Sequence, residues 1–90
     1  MAKLYSTYSF RVGKFNYAVS VCVLKDRNPL ILRFTTARID EPGKAGTELP
    51  EWGFTKELNT EIPSIEAEGC IASERARIEK AVTRAVLGEK

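Results

Sequence analysis

Residues 4 to 23 alternate in chemistry with a period of two, and the alternation is interrupted once, at Gly13-Lys14. Period two is the signature of a half-buried strand, and a two-residue loop with Gly first suits a type II′ hairpin turn. A turn at that place sets Val12 opposite Phe15, Phe10 opposite Tyr17, Tyr8 opposite Val19 and Leu4 opposite Val23. All of these pairs are apolar, and only Ser6 opposite Val21 is mixed. Turn chemistry and hydrophobic pattern therefore demand one register, which confines the chain to an antiparallel sheet.

Lys25-Asp26-Arg27-Asn28-Pro29 reads as a turn, and "LILRFTTARI" as a third strand. A four-residue loop would place Leu30 opposite Val23, Leu32 opposite Val21 and Phe34 opposite Val19, extending the apolar face. Residues 40 to 63 break the pattern with three Pro and three Gly. Phe54, Leu58 and Ile62 fit a short helix or an edge strand equally well, and spacing alone does not separate them. Near the C-terminus, Ser73 is a candidate helix cap with Glu74 in the first turn. Ile78, Ala81, Val82, Ala85 and Val86 then form a helical stripe, and Gly88 suits its stop.

The expected architecture is α+β: a three-stranded meander in the order 1-2-3 over residues 3–39, a connecting segment 40–68, and a helix over about 72–87 packed on one face of the sheet. Ninety residues make a single domain. Its expected core is Phe10, Tyr17, Val19, Val21, Leu32, Phe34, Ile78 and Val82.

A net charge of +2 hides a strong segregation. Residues 1–39 carry seven basic side chains against Asp26 alone, a net of +6; residues 40–68 carry eight acidic ones against Lys44 and Lys56, a net of −6. Either the acidic segment lies on the basic sheet and neutralises it, or one pole contacts a partner. Charge complementarity of the second kind steers association and fixes orientation.

Most catalytic equipment is missing. Without histidine there is no usual general base, no usual metal ligand and no Ser-His or Cys-His pair. Cys22 and Cys70 form no zinc motif, "GKAG" lacks the spacing of a phosphate loop, and no cofactor is implied. The pairs Glu57/Glu61 and Glu66/Glu68 would serve acid–base chemistry, and so an enzyme built on carboxylates, only if one member were buried; they lie in a polar stretch and read as solvated charges. Two cysteines read as reduced thiols in a cytosolic protein, with a single Cys22–Cys70 disulfide as the alternative, and the absence of a leader-like apolar run, a spanning stretch or a prenylation box makes the cytoplasm the expected compartment.

The second face of the sheet is the open question. Its expected members are Lys3, Tyr5, Thr7, Ser9 and Arg11, then Asn16, Ala18, Ser20 and Cys22, then Ile31, Arg33, Thr35 and Ala37. Residues 54–68 would cover it, with Glu57 or Glu61 near Arg11 or Arg33, or a partner protein or second subunit would occupy it. Nucleic acid is a third occupant, held weakly by small polar residues and arginines on a three-stranded sheet. A meander followed by a helix resembles in outline the sheet-reading DNA-binding domains of some plant regulators and integrases, although none of their motifs is present.

The functional expectation is a small non-enzymatic protein that acts by protein contact, in the manner of a phage-type inhibitor or modulator of a larger assembly. The alternative is a DNA- or RNA-binding module using the basic sheet. Candidate contact residues are Lys3, Tyr5, Arg11 and Arg33 on the sheet face, and Glu48, Glu51, Trp52, Glu57 and Glu61 in the acidic segment. Trp52 has a second reading as a cap on the core, because a domain this small needs its aromatics for stability.

Overall fold

A computed structural model describes residues 2–24 and 29–88. Lys25–Asn28, most of the expected turn between the second and third strands, lies outside the described residues. The strands are β1 (Ala2–Val12), β2 (Phe15–Leu24), β3 (Leu30–Ile39), β4 (Thr47–Glu48) and β5 (Phe54–Leu58), followed by one helix, α1 (Ile65–Leu87). β1, β2 and β3 form the expected antiparallel meander, and both β4 and β5 pair with the far side of β3. The molecule measures 39 × 30 × 20 Å, and its shortest dimension is about that of one sheet and one helix stacked at ~10 Å per layer.

The first hairpin closes as its chemistry requires. Gly13 has φ 61°, and Lys14 does not share the left-handed conformation, which is the type II′ pattern. Val12 faces Phe15, Phe10 faces Tyr17 and Tyr8 faces Val19. Toward the N-terminus the expected register fails. A bulge at Tyr5 sets Leu4 opposite Cys22 and Lys3 opposite Val23. The extra residue turns the alternation over, so Lys3 and Tyr5 move to the helix side and Leu4 to the opposite side, where it is 59% exposed. Joined to β2, β3 is slipped by two residues from the expected pairing: Val23 faces Leu32, Val21 faces Phe34 and Val19 faces Thr36. An even slip keeps every side chain on its face, so the same residues form the core in either register.

Residues 40 to 63 are more ordered than their Pro and Gly content suggests. Gly46 lets the chain reach β3, since a Cβ there would lie 2.6 Å from Ile39 Cδ1 and 2.7 Å from the Arg38 carbonyl oxygen. Thr36, fully buried, anchors the 3-10 turn Pro50–Trp52: its carbonyl accepts from Leu49 N at 2.8 Å and its hydroxyl donates to the Trp52 carbonyl at 3.0 Å. Phe54 and Leu58 are strand residues in β5, and the Phe54 ring stacks on Phe34 at 4.8 Å. Ile62 lies beyond the strand, partly buried against the core.

The helix starts at Ile65 rather than near residue 72. Ser64, not Ser73, is the cap, accepting from Ala67 N at 3.1 Å, and Glu66 and Glu68 sit in the positive first turn. Cys70 and Ile71 are therefore inside the helix. Ala67, Ile71, Glu74, Ile78 and Val82 make its buried stripe, and Gly88 ends it at φ 70° with its N–H bonded to the Arg84 carbonyl. All the expected core residues pack together, Phe10 at the margin, joined by Val12, Val23, Leu58, Ala67 and Ile71.

Candidate functional site

Residues 54–68 do not cover the second face of the sheet. Residues 54–58 lie beside β3 as a strand, and the capped helix begins seven residues after that strand ends. Glu57 and Glu61 make no ion pair with Arg11 or Arg33; the pairs among the described residues are Arg38–Asp40, Lys44–Glu41, Lys56–Glu74 and Arg77–Glu74. Among the described residues no element lies over the second face, and this bare sheet surface is the candidate site.

The register determines its rows. At one end Leu24 lies beside Ile31, followed across the sheet by Glu57. The next row is Leu4, Cys22, Arg33 and Thr55. A hydroxyl row, Thr7-Ser20-Thr35, crosses the middle. Ser9, Ala18, Ala37 and Glu48 follow, and Arg11, Asn16 and Ile39 complete the far end. Ala18, Ser20, Cys22, Thr35 and Ala37 are only half-buried, shielded by strand neighbours and by no overlying layer. The surface is thus small-chained across its middle row and apolar at the Leu4 end, with Arg11 on its β1 edge, Arg33 on the interior strand β3, and Glu48 and Glu57 on its β4–β5 margin.

Of the sequence-derived contact residues, Arg11 and Arg33 are exposed on this face, and Glu48 and Glu57 are exposed at its β4–β5 margin. Glu51 is exposed on the 3-10 turn. Trp52 is half-buried against the core, so it serves as a cap there. Lys3 and Tyr5 belong to the other side of the sheet. They meet Glu61 in a cleft of about 590 Å³ at the end of the core layer, walled by Leu4, Val23, Leu30, Ile62 and Pro63. The bulge is what sent them there, and a period-two count cannot reveal a single inserted residue.

On the helix side, polar groups are tied to the sheet margin. The Tyr5 hydroxyl donates to Glu68 and the Tyr8 hydroxyl to Glu79, and each carboxylate holds its phenol's pKa above the ordinary tyrosine value. Arg75 lies over the Tyr8 ring at 5.1 Å. On the other flank, Glu74 Oε2 is 2.6 Å from Lys56 Nζ and its Oε1 is 2.8 Å from Arg77 Nη2. That hydrogen bond to Glu74 is the main reason the Lys56 pKa is raised. Glu74, expected in the first turn of the helix, is instead a buried carboxylate in its middle. Its place in the stripe, three after Ile71 and four before Ile78, was the available signal.

Cys22 lies on the bare face and Cys70 on the helix beyond the sheet; both thiols are free. Among the described residues no group of three or more His, Cys, Asp or Glu is placed to hold a metal ion, and no helix is long and apolar enough to cross a membrane. Comparisons with protein-family models, curated proteins and solved structures find no match to this chain.

Proposed function

We propose that this protein is a small binding protein that acts by protein contact through the bare face of its sheet, as a modulator of a larger partner. The observation that carries this reading is the character of that face. Small side chains from three strands leave a flat surface on which a second layer can pack at the ~10 Å spacing of stacked sheets. Among the described residues, Arg11 and Arg33 on this face are matched by Glu48 and Glu57 at its β4–β5 margin, so the described part of the face carries no basic excess. A nucleic-acid footprint needs a one-sign basic surface, and stacking aromatics are missing from these rows. The fitting occupant is a protein surface that is flat, near neutral, and apolar opposite Leu4, Leu24 and Ile31.

The test is affinity capture from nuclease-treated lysate, followed by rebinding of the purified captured protein. Ala18→Arg plants a long charge in the middle of the face and is expected to weaken that binding by at least roughly tenfold, about 1.4 kcal/mol. Lys80→Glu, on the exposed side of the helix, is expected to leave it unchanged. Recovery of nucleic acid alone, or binding indifferent to Ala18→Arg, overturns the reading.

A further inference from the structure

The outer edge of β1 is a second surface, distinct from the bare face. β1 is the terminal strand of the sheet, and no described strand pairs with its far side. It runs for eleven residues. Natural sheets blunt such an edge with charges, prolines or bulges, because its unpaired N–H and C=O groups are a template for another strand. Here the bulge at Tyr5 and Lys3 guard one end and Arg11 the other, while Leu4 to Phe10, "LYSTYSF", contains no charge and no proline.

The hairpin geometry says which groups are free. In a hairpin closed by a two-residue turn, Val12 and Phe15 exchange both backbone bonds, and so do alternate pairs behind them. Phe10 and Tyr8 therefore spend their backbone groups on β2. Thr7, Ser9 and Arg11 direct theirs outward.

We infer that a second copy of this chain pairs with β1 antiparallel, Ser9 against Ser9, about a two-fold axis normal to the sheet. That register sets Thr7 opposite Arg11 of the second copy and Tyr8 opposite its Phe10. No like charges face each other, and the free backbone groups of residues 7, 9 and 11 all find partners. It also continues an aromatic row already present within one copy, where Tyr8 stacks on Phe10 at 5.8 Å and Phe10 on Tyr17 at 5.6 Å. Closed two-fold dimers are the commonest homo-oligomers, and an antiparallel pair of identical edges is one such self-complementary interface. The axis leaves both helices on one side and joins the two bare faces into one continuous platform on the other.

Sedimentation of the full chain over a concentration series tests this. The wild type is expected to reach a dimer that dissociates on dilution. Ser9→Pro removes an outward N–H without touching the bonds to β2, and is expected to weaken the dimer by at least roughly a hundredfold. Ser9→Lys, which places like charges directly opposite at the axis while keeping the backbone intact, is expected to do the same. Hydrogen exchange adds a direct reading: the Thr7, Ser9 and Arg11 amides should gain protection as concentration rises. A wild type that stays monomeric at millimolar concentration overturns the inference. So does a dimer that survives Ser9→Lys, or one whose residue 7, 9 and 11 amides stay unprotected. A dimer lost on Ala18→Arg but not on either Ser9 change also overturns it, placing self-association on the bare face instead.

Discussion

The two faces of one sheet have opposite fates, although the same strands supply both. On the helix side, Val19, Val21, Leu32 and Phe34 have no exposed surface and are sealed by Ile71, Ile78 and Val82. On the other side, Ala18, Ser20, Cys22 and Thr35 keep solvent contact. The difference is one of side-chain volume. Branched and aromatic residues on the first side bury enough apolar area to hold a helix down, at ~25 cal/mol per Å². Alanine, serine and threonine on the second side bury too little to hold the acidic segment, which finds its partners at the edge of β3 instead. Being bare is thus an outcome of composition, and it leaves a surface ready for another molecule.

The largest contrast between the faces is expected from truncation. Phe34→Ala should cost about 3–5 kcal/mol, read as a fall in the urea midpoint, because it opens a cavity beneath Phe54 and the helix. Thr35→Ala, one residue on and facing the other way, should change stability by less than about 0.5 kcal/mol. Equal costs at the two positions would mean that something covers the bare face.

A middling effect is expected at the only carboxylate in the helix's buried stripe. Glu74→Ala should cost about 1–2 kcal/mol by urea denaturation, from lost packing and a lost partner for Lys56. Lys56 and Arg77 keep much of their solvent contact, which limits the loss. Glu74→Leu should stay within about 1 kcal/mol of the wild type, because a hydrocarbon chain of similar size continues the apolar stripe. A large loss with Glu74→Leu would show that the carboxylate, rather than the volume, holds β5 to the helix.

The smallest effect is expected at alkaline pH. Tyr5 and Tyr8 keep their protons in the folded state above the pH at which an unfolded chain releases them, near pH ~10. Their contribution is therefore complete below that pH and is lost as pH rises through the higher folded-state values. Tyr5→Phe combined with Tyr8→Phe should flatten the decline of the denaturation midpoint above pH ~10. Lys56, also raised, keeps part of the slope. An identical slope in the double variant, together with ordinary phenol titration in the ultraviolet, would mean that the two hydroxyls do not engage Glu68 and Glu79.

By itself the sequence determined the meander, the type II′ turn at Gly13-Lys14, the core face and the stop at Gly88, because each rests on local periodicity or on the φ angle of one residue. It also held the separation of charge along the chain. Tertiary structure decided the rest. The bulge at Tyr5 adds one residue to one strand, which a period-two pattern absorbs without trace until β2 is laid beside it. The helix start at Ser64 was hidden because Glu74, read as a surface charge, interrupts the apolar stripe; only Lys56 and Arg77, brought from β5 and the next helical turn, make its burial tolerable. The two-residue slip of β3 was invisible for the opposite reason, since both registers bury the same face. Whether residues 54–68 covered the sheet or extended it was a contest between non-local contacts. The open backbone groups of β3 and the Phe34–Phe54 stack won it, and a linear pattern carries no record of either.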